Sequence, residues 1–421
     1  MANVNTLNFN QLATVLNSIC AQATGKASLT ATNTSEFVSV AQAALRTGYD
    51  PVMSAISQVL GRTIFSVRPY DRKFKGLYVT EQQYGARTRK LQVIDKPFEE
   101  DDRIKLADGY SIDQQVVNKP AVLETNFYGQ NVYQKSITIF RDQLDTAFSG
   151  PEEFGRFVSM VMQNASDMIE QAHEETARAT INNFIGAKVA LSGTDTGKTH
   201  VIYLVDAFNA EVGGSYTRDT ILSESNFPLF AKWLFSFLKT LSGMMTERSY
   251  EYHMDITNKE IARHTPVRDQ KMYLFTPYVN RVSASVLSSV YNDQLLKYAD
   301  HEEVNYWQAI KSASDVYVKP SYIGSDGTLV ASPENQLVPY VLGVIFDREA
   351  LGITTVNRWS ANAPFNARGG YTNMFWHFTD RYWNDVTENG VVLILDSASN
   401  DNSSTVGTAV VGTAVVGSSE T

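Results

Sequence analysis

Residues 151–190 read PEEFGRFVSMVMQNASDMIEQAHEETARATINNFIGAKVA, and apolar side chains recur through this stretch every three or four positions. That spacing puts them on one face of an α-helix. Pro151 suits a first helical turn, and Glu152 and Glu153 place negative charge where the helix dipole favours it. About 35 residues at ~1.5 Å each give ~50 Å, well beyond the usual ~10–14 residues of a helix. We expect this helix to lie across one side of a sheet and to form the backbone of the fold.

The N-terminal residues, 1–60, predict an arm. Apolar spacing from Phe9 to Ile19 and from Phe37 to Ala44 indicates two short amphipathic helices, joined by a stretch rich in Thr, Ser and Ala. The charged residues among the first fifty are Lys26, Glu36, Arg46 and Asp50. An arm of this kind has little core of its own, so we expect it to pack on something else.

Residues 61–140 predict a long β excursion with a polar tip. Runs of β-prone residues flank the polar stretch 95–115, which is long for a loop in a compact domain. The stretch 62–90 has eight basic residues and two acidic ones, whereas 95–113 has three basic residues and seven acidic ones. Such blocks are often two solvated faces. Alternatively, the acidic tip of one copy meets the basic base of another, and a neighbouring chain supplies burial that an isolated ribbon lacks.

The rest of the chain predicts a separate α/β region at 191–337, followed by β structure. We expect one short helix after the first returning strand and a hairpin at the end. The expected elements are helix 227–245, strands 272–275 and 341–346, helix 347–350, and a hairpin of strands 371–383 and 391–395 with its turn at Asn389-Gly390. The tail from residue 397 repeats Gly-Thr-Ala-Val-Val and offers no core of its own.

The composition argues against several classes of protein. The chain has 421 residues and a formal net charge of −9, whereas a dedicated nucleic-acid binder shows a strong basic excess. The single cysteine, Cys20, rules out an intrachain disulfide framework, and it lies on an apolar helical face that suits a small hydrophobe. The first residues lack a signal-peptide pattern, and no run of ~18 apolar residues indicates a membrane span. We expect a soluble, mildly acidic protein made in a reducing compartment.

Motifs that would carry chemistry are mostly missing. The stretch 193–199 resembles a phosphate-binding loop but has three residues between its glycines where the motif has four, which favours a surface turn. His173 and Glu174 lack the second histidine of a zinc-protease helix. His253 and His264 share a polar stretch with two acids, where a solvated loop is favoured over a metal site. The sequence therefore predicts no catalytic residue, no cofactor-binding residue and no metal ligand.

The order of these elements resembles the major capsid protein of tailed double-stranded DNA bacteriophages, which has the Hong Kong 97-like fold of the α+β class. The likeness rests on layout, and the segment Phe148–Phe184 and the aromatic strand Tyr371–Phe378 are most similar to coat proteins of small short-tailed phages. The resemblance implies an N-terminal arm at 1–60, an extended loop and its base at 61–140, a peripheral domain with the spine helix at 141–195, an axial domain at 196–337, peripheral return strands at 338–396 and a low-complexity tail at 397–421.

The resemblance also implies a function. Hexamers and pentamers of identical copies would form an icosahedral head shell that encloses packaged double-stranded DNA. The partners would be other copies of the chain, portal and scaffolding proteins, and DNA contacted without sequence specificity, with no membrane and no cofactor. The protein would reside in the virion after assembly in the host cytoplasm, and it would not be an enzyme. Some relatives crosslink a lysine to an asparagine, but no motif here allows those residues to be carried over.

The sequence leaves two other functions open. An encapsulin-like nanocompartment shell protein shares this fold but encloses cargo enzymes. A carbohydrate-active or other hydrolytic enzyme is supported only by the aromatic content and by scattered carboxylates. Particle size separates these classes, because an enzyme is expected to be a monomer or a small oligomer and a shell protein to form very large particles.

Overall fold

The structure is a computed structural model, and it describes residues 9–25, 30–62, 72–79, 88–94, 100–101, 104, 107–109, 111–112, 115, 117, 121–287 and 301–400. The chain divides into two compact units. Unit 1 combines residues 1–88, 127–177 and 353–382, and unit 2 combines residues 89–126, 178–352 and 383–421.

The described residues form both α-helices and β-strands. The α-helices are α1 (Phe9–Thr24), α2 (Thr34–Leu45), α3 (Tyr49–Arg62), α4 (Arg141–Ala147), α5 (Pro151–Ser192), α6 (Leu204–Val212), α7 (Arg218–Ile221), α8 (Phe227–Met244) and α9 (Thr276–Leu287). The strands are β1 (Thr88–Ile94), β2 (Ala121–Phe127), β3 (Gln130–Phe140), β4 (Val201–Tyr203), β5 (Gln270–Phe275), β6 (His301–Val304), β7 (Val316–Val318), β8 (Ser321–Ile323), β9 (Leu329–Ala331), β10 (Gln336–Val338), β11 (Val341–Asp347), β12 (Leu351–Asn362), β13 (Tyr371–Asn384) and β14 (Gly390–Ile394).

The long helix predicted at 151–190 is confirmed as α5, which runs for 42 residues. Pro151 is its first residue, and the two glutamates that follow lie in its first turn. Phe154 on its apolar face is buried in the core of unit 1. Phe184, further along the same helix, is buried in unit 2 against Phe346 of β11. The boundary between the two units therefore falls within this helix.

Unit 1 consists of helices packed against a three-stranded sheet. The strand order is β12–β13–β3, and β13 pairs antiparallel with β3. The residues of β13 alternate in burial, and Met374 and Trp376 on its inner side share one apolar core with Ile139 of β3 and Phe154 of α5. The period-two pattern predicted for this strand is thus confirmed.

The N-terminal segment differs from the predicted arm. It forms three helices instead of two, and their apolar faces are buried in the core of unit 1. Leu16, Phe37 and Val52, one from each helix, are fully buried. The low charge of the segment therefore reflects burial against its own chain. The sequence pattern hides α3 because Pro51 suggests a helix break, whereas this proline falls in the first turn, where proline is tolerated.

Unit 2 is organised around a five-stranded mixed sheet with the order β4–β14–β11–β5–β6. β11 is antiparallel to both of its neighbours, whereas β14 pairs in parallel with β4, and β5 in parallel with β6. Every residue of β11 and of β14 is buried. Leu238 of α8 and Val282 of α9 share a core with Leu274 and Leu342 of the sheet. Because both faces of this sheet are covered, its central strands are almost entirely apolar.

Three of the elements predicted beyond α5 are confirmed, and the final hairpin is wrong. The helix expected at 227–245 is α8, and the buried strands expected at 272–275 and 341–346 are β5 and β11. The hairpin of 371–383 with 391–395 does not form, because β13 and β14 belong to different sheets. β14 is buried on both sides and lies between two other strands, whereas β13 covers a core on one side only.

Two local predictions near this region are also corrected. The helix expected at 347–350 is a turn, in which Asp347 accepts hydrogen bonds from the backbone N–H groups of Glu349 and Ala350. The turn expected at Asn389-Gly390 lies earlier in the chain, because Gly390 already pairs with Phe346 in the sheet.

The β excursion is confirmed at its base, where β1 and β2 form a two-stranded sheet that we call the ribbon. β3 lies in the range predicted for the excursion but belongs to the sheet of unit 1, because its inner residues cover that core. At the predicted acidic tip, Glu100, Asp101 and Asp108 are described and exposed. Residues 95–99 and the tail from residue 401 lie outside the described residues.

Candidate assembly surfaces

A buried cluster of charges fixes the base of the ribbon to the rest of unit 2. The residues of β1 alternate between half-buried and exposed, and this alternation turns Lys90 and Gln92 inward. The Lys90 ammonium lies 2.9 Å from Asp385 and 2.5 Å from Glu388. Glu388 also accepts hydrogen bonds from Gln92 at 2.6 Å and from Arg263 at 2.7 Å. One carboxylate therefore links the ribbon to the turn before β14 and to the loop that carries Arg263.

The charges in this cluster support one another. Burial works against the charge on Lys90, but Asp385 and Glu388 outweigh it and raise the Lys90 pKa. Burial likewise works against the charge on Asp385, but Lys90, the hydrogen bond from Thr387 and Arg263 together outweigh it and lower the Asp385 pKa. Burial raises the pKa of Glu388, although Lys90 and Arg263 both favour its charged form. We therefore regard Lys90 and Asp385 as the ion pair that persists at neutral pH.

The outward side of the ribbon is apolar, and we call it the ribbon face. Leu91 and Val93 of β1 are 55% and 58% exposed, and Val122 of β2 is 49% exposed. The polar neighbours on this side, Arg89 and Glu124, form an exposed ion pair at 2.9 Å. Aliphatic side chains gathered on an exposed two-stranded sheet mark a surface suited to contact with another protein.

The sheet of unit 1 has a second exposed surface, which we call the aromatic face. The ring of Trp359 stacks on His377 with 3.9 Å between ring centroids. Phe375, two residues earlier in β13, also stacks on His377. Phe140 of β3 contacts Tyr371 edge to face at 5.9 Å. From 371 to 379 the outward positions of β13 carry no Lys, Arg, Asp or Glu. Aromatic, charge-poor surfaces of this kind are typical of protein interfaces.

A cleft of about 430 Å³ opens in unit 2 beside the base of the ribbon, and we call it the arginine cleft. Gln92 of β1 lies in its wall, next to the buried charge cluster. Basic and acidic side chains both line this cleft, and arginine is the most frequent residue type among them. The charged and titratable lining residues are Arg248, Arg263, His264, Arg268, Asp269, Asp347, Arg348, Glu349 and Glu388.

The stretch 193–199 resembles a phosphate-binding loop. Charged side chains in this stretch and just after it pair with acids of the same chain. The Lys198 ammonium lies 2.6 Å from Asp255, and His200 lies 2.9 Å from Asp195. His253 lies 3.3 Å from the same Asp255 carboxylate. Burial would raise the pKa of Asp255, but its hydrogen bonds with His253 and Lys198 lower it to about 2. These contacts are those of a structural turn, as the sequence predicts.

The other candidate residues named in the sequence lie in the protein interior or at the arginine cleft. His173 is buried in unit 1, with Nδ1 2.8 Å from Asp380 and 2.9 Å from the hydroxyl of Tyr78. Cys20 is buried, and burial raises the pKa of its thiol to about 11, which suits a small hydrophobe. His264 lines the arginine cleft. Among the described residues, no group of three or more His, Cys, Asp or Glu side chains could hold a metal ion.

Sequence reasoning missed Lys188, which is fully buried in unit 2. Its ammonium donates to the backbone carbonyls of Tyr252 at 3.1 Å and Val386 at 3.4 Å. Burial lowers its pKa to about 7, and Asp385 acts in the opposite direction. The sequence does contain a signal for its burial. Lys188 follows Phe184 by four residues, which places it on the apolar face of α5.

A family model and several solved structures are similar to this chain. A family model described as the Phi29-like phage major capsid protein matches residues 13–394. A chain in the structure of the head fiber and inner core protein gp22 of native bacteriophage P68 is 9% identical, with 79% of this chain and 87% of that chain covered and a TM-score of 0.50. A chain in the capsid structure of Staphylococcus phage Andhra is 9% identical, with 80% and 87% covered and a TM-score of 0.49. No curated protein matches the sequence.

The family match decides between the functions that the sequence leaves open. It covers most of the chain and names a phage capsid protein, so the encapsulin-like alternative is not favoured. The structural likeness at such low identity concerns the fold alone, a mixture of helices and sheets resembling phage capsids. Among the described residues, no helix is long and apolar enough to span a membrane. The chain belongs to the Phi29-like phage major capsid protein family and is a shell-forming capsid protein of a phage virion.

Proposed function

We propose that identical copies of this chain associate as hexamers and pentamers and close an icosahedral head shell around packaged double-stranded DNA. The single observation that carries the proposal is the ribbon face, where Leu91, Val93 and Val122 are about half exposed on a ribbon pinned at its base. In the shell, this face lies against a neighbouring copy. We further propose that the fold is Hong Kong 97-like.

Burial of the ribbon face supplies a small stabilisation at each contact. Full burial of a Leu or Val side chain is worth about 1.5–3 kcal/mol, so covering the exposed half of each is worth about 1 kcal/mol. Three such side chains per copy give weak individual contacts that add up around a closed shell. Weak contacts suit assembly, because misplaced copies can dissociate and bind again.

The domain roles follow the same proposal. Residues 61–140 serve as the extended loop and its base, 141–195 and 338–396 as the peripheral domain, and 196–337 as the axial domain. The five-stranded sheet of unit 2 combines strands from two of these ranges, since β5 lies in 196–337 and β11 in 338–396. Residues 1–60 serve as the N-terminal region, whose helices α1, α2 and α3 pack on their own chain.

The remaining partners are proposed from charge and from family membership. A net charge of −9 keeps the shell from adhering strongly to a dense polyanion, so DNA is contacted without sequence specificity. We propose portal and scaffolding proteins as further partners, assembly in the host cytoplasm, and no enzymatic activity.

Charge substitution in the ribbon face tests the proposal. Lysines in a Leu91→Lys, Val93→Lys variant would have to be desolvated at the contact, so we expect shells to be lost while the unassembled chain stays folded. Leu329→Lys is the control, because Leu329 is exposed but lies on β9, outside the ribbon. Sedimentation velocity and electron microscopy measure assembly, and circular dichroism measures folding. Normal shells from the ribbon variant would contradict the proposal.

A further inference from the structure

The arginine cleft has a basic entrance. Among its lining residues, Arg268 is 85% exposed and Arg348 is 61% exposed. Arg248 and His264 are also exposed at the entrance. Glu349 is the exposed acid among the lining residues. Arginines therefore dominate the charge that an approaching molecule meets first.

The less exposed acids of the cleft, Asp269, Asp347 and Glu388, are engaged within the chain. Asp269 lies 3.3 Å from Arg268 and 3.2 Å from Arg348. Asp347 accepts a hydrogen bond from Thr265 at 2.8 Å, and Glu388 belongs to the charge cluster at the base of the ribbon. A guanidinium has five N–H donors in a planar fork, so an arginine that contacts one carboxylate can still bind another. The entrance is thus suited to carboxylates that arrive from outside.

Acidic residues follow strand β1 of the ribbon in the sequence. Gln92 of β1 lies in the cleft wall, and Glu100, Asp101 and Asp108 are exposed further along the same excursion. None of these three acids is among the residues that line the cleft. Cleft and tip are therefore different patches of one chain with opposite charge. A contact between two different patches of identical copies is head-to-tail, and a closed rotation turns such contacts into a ring.

We propose that the acidic tip of one copy's ribbon, which includes Glu100, Asp101 and Asp108, docks in the arginine cleft of the neighbouring copy. This inference rests on the proposed function and identifies the surface that receives the tip. The ribbon face supplies apolar burial, and the tip and cleft fix the register of the two copies by charge.

Duplex DNA is the competing partner for exposed arginines. A DNA-binding protein makes roughly 6–10 phosphate contacts over an extended basic surface. The arginine cleft offers three exposed arginines in a concavity of about 430 Å³, with the exposed carboxylate of Glu349 among them. A concavity of this size receives a few side chains and offers no extended basic surface to follow a duplex. The geometry favours the tip over the duplex.

A charge-swap experiment on the full chain tests the inference. The variants are Glu100→Lys with Asp101→Lys at the tip, Arg268→Glu with Arg348→Glu at the cleft, and all four changes combined. We expect each one-sided variant to lower the yield of shells about tenfold, and the combined variant to recover most of it, because opposite charges face each other again. The milder Arg268→Gln, Arg348→Gln variant should lose less and shows that the loss follows charge.

A matched control separates a local contact from a change in net charge. Asp219→Lys with Glu224→Lys reverses two exposed acids of unit 2 outside the tip, and we expect normal shells. Circular dichroism checks that each variant is folded. The inference is overturned if the cleft variant assembles normally, or if the combined variant assembles no better than the one-sided variants. In either case the shells that do form would still support the proposed function. If the starting chain never forms shells, the proposed function falls and this inference with it.

Anisotropy with a short labelled DNA duplex addresses the competing partner. We expect the cleft variant to bind the duplex as the starting chain does. If the cleft variant alone loses duplex binding and the tip variant assembles normally, the cleft binds DNA and the inference is overturned.

Discussion

At the residue scale, Lys188 is a charged residue type in a fully buried position of α5. Burial lowers its pKa to about 7 in the folded chain, against an ordinary value of 10.5. Between these two pH values the unfolded chain binds more protons than the folded chain. The free energy of unfolding therefore rises with pH across this window, and the contribution is smallest below pH 7, where a charged ammonium is buried.

A Lys188→Met variant should remove this pH dependence. A shift of this size corresponds to roughly 4–5 kcal/mol across the window, so the slope of the free energy of unfolding between pH 7 and pH 10 should flatten clearly. Urea unfolding of the unassembled chain at several pH values measures it. Lys239→Met on the exposed side of α8 is the control. An unchanged slope in the Lys188→Met variant would show that this lysine does not titrate as described.

Gly343 in the centre of β11 makes a second prediction at this scale. A Cβ there would lie 2.6 Å from a methyl carbon of Leu274 and 2.7 Å from the carbonyl oxygen of Tyr273. We expect Gly343→Ala to lower the free energy of unfolding by about 1–3 kcal/mol through overpacking. Gly243→Ala in α8 meets open space and should raise it by about 0.5–1 kcal/mol. Equal stabilities of the two variants in denaturant melts would contradict the packing described for β11.

At the scale of elements, the ribbon depends on Lys90. Replacing it by alanine leaves the buried carboxylates of Asp385 and Glu388 without their ammonium, which should lower the free energy of unfolding by about 3 kcal/mol. Hydrogen exchange should speed up in β1 and β2 first, because the ribbon loses its anchor. Arg89→Ala is the control, because its pair with Glu124 is exposed and worth less than about 1 kcal/mol. Equal exchange in the two variants would mean that the cluster does not hold the ribbon.

Elements with a local signal could be predicted from the sequence. α5, α8 and the inner side of β13 have clear periodicity, and the structure confirms them. Pairing between distant strands leaves no local signal, so the partners of β14 and β3 were not predicted correctly. β14 follows β13 closely in sequence, which suggests a hairpin, yet β14 is fully buried and pairs with β4 and β11 instead.

The candidate surfaces likewise divide into those that a local sequence pattern predicts and those that it does not. The charge blocks of the excursion are visible in the sequence, and so is the acidic tip. The arginine cleft is not, because Gln92, Arg263 and Arg348 come from three distant parts of the chain. The basic block of the excursion is also less available than its charge suggests, since the half-buried Lys90 pairs with Asp385 and Arg72 pairs with Glu170 at 3.2 Å.

At the scale of the whole molecule, the order of elements carries the family assignment, and the family match over residues 13–394 agrees with it. The division into units follows the chain less closely. Each unit takes residues from three separate ranges, because α5 and the later strands contribute to both. Sequence order therefore predicts which elements exist better than it predicts which of them pack together.

The tail makes a prediction at this scale. Close to the end of the described residues, the Ser397 hydroxyl donates to Asp206 at 2.6 Å, and the large apolar cores lie before this point. Deleting 401–421 should therefore change the free energy of unfolding by less than about 0.5 kcal/mol. Thermal melts of the full-length and shortened chains measure the difference. Loss of soluble, folded protein on deletion would show that the tail contributes to the core.

The central claim is that copies of this chain cover each other's ribbon faces as they close a shell. Electron cryomicroscopy of the purified protein tests it most directly. We expect closed shells of hexamers and pentamers in which Leu91, Val93 and Val122 are buried against a neighbouring copy. Particles that remain single chains or small oligomers, or shells in which these three side chains face solvent, would contradict it.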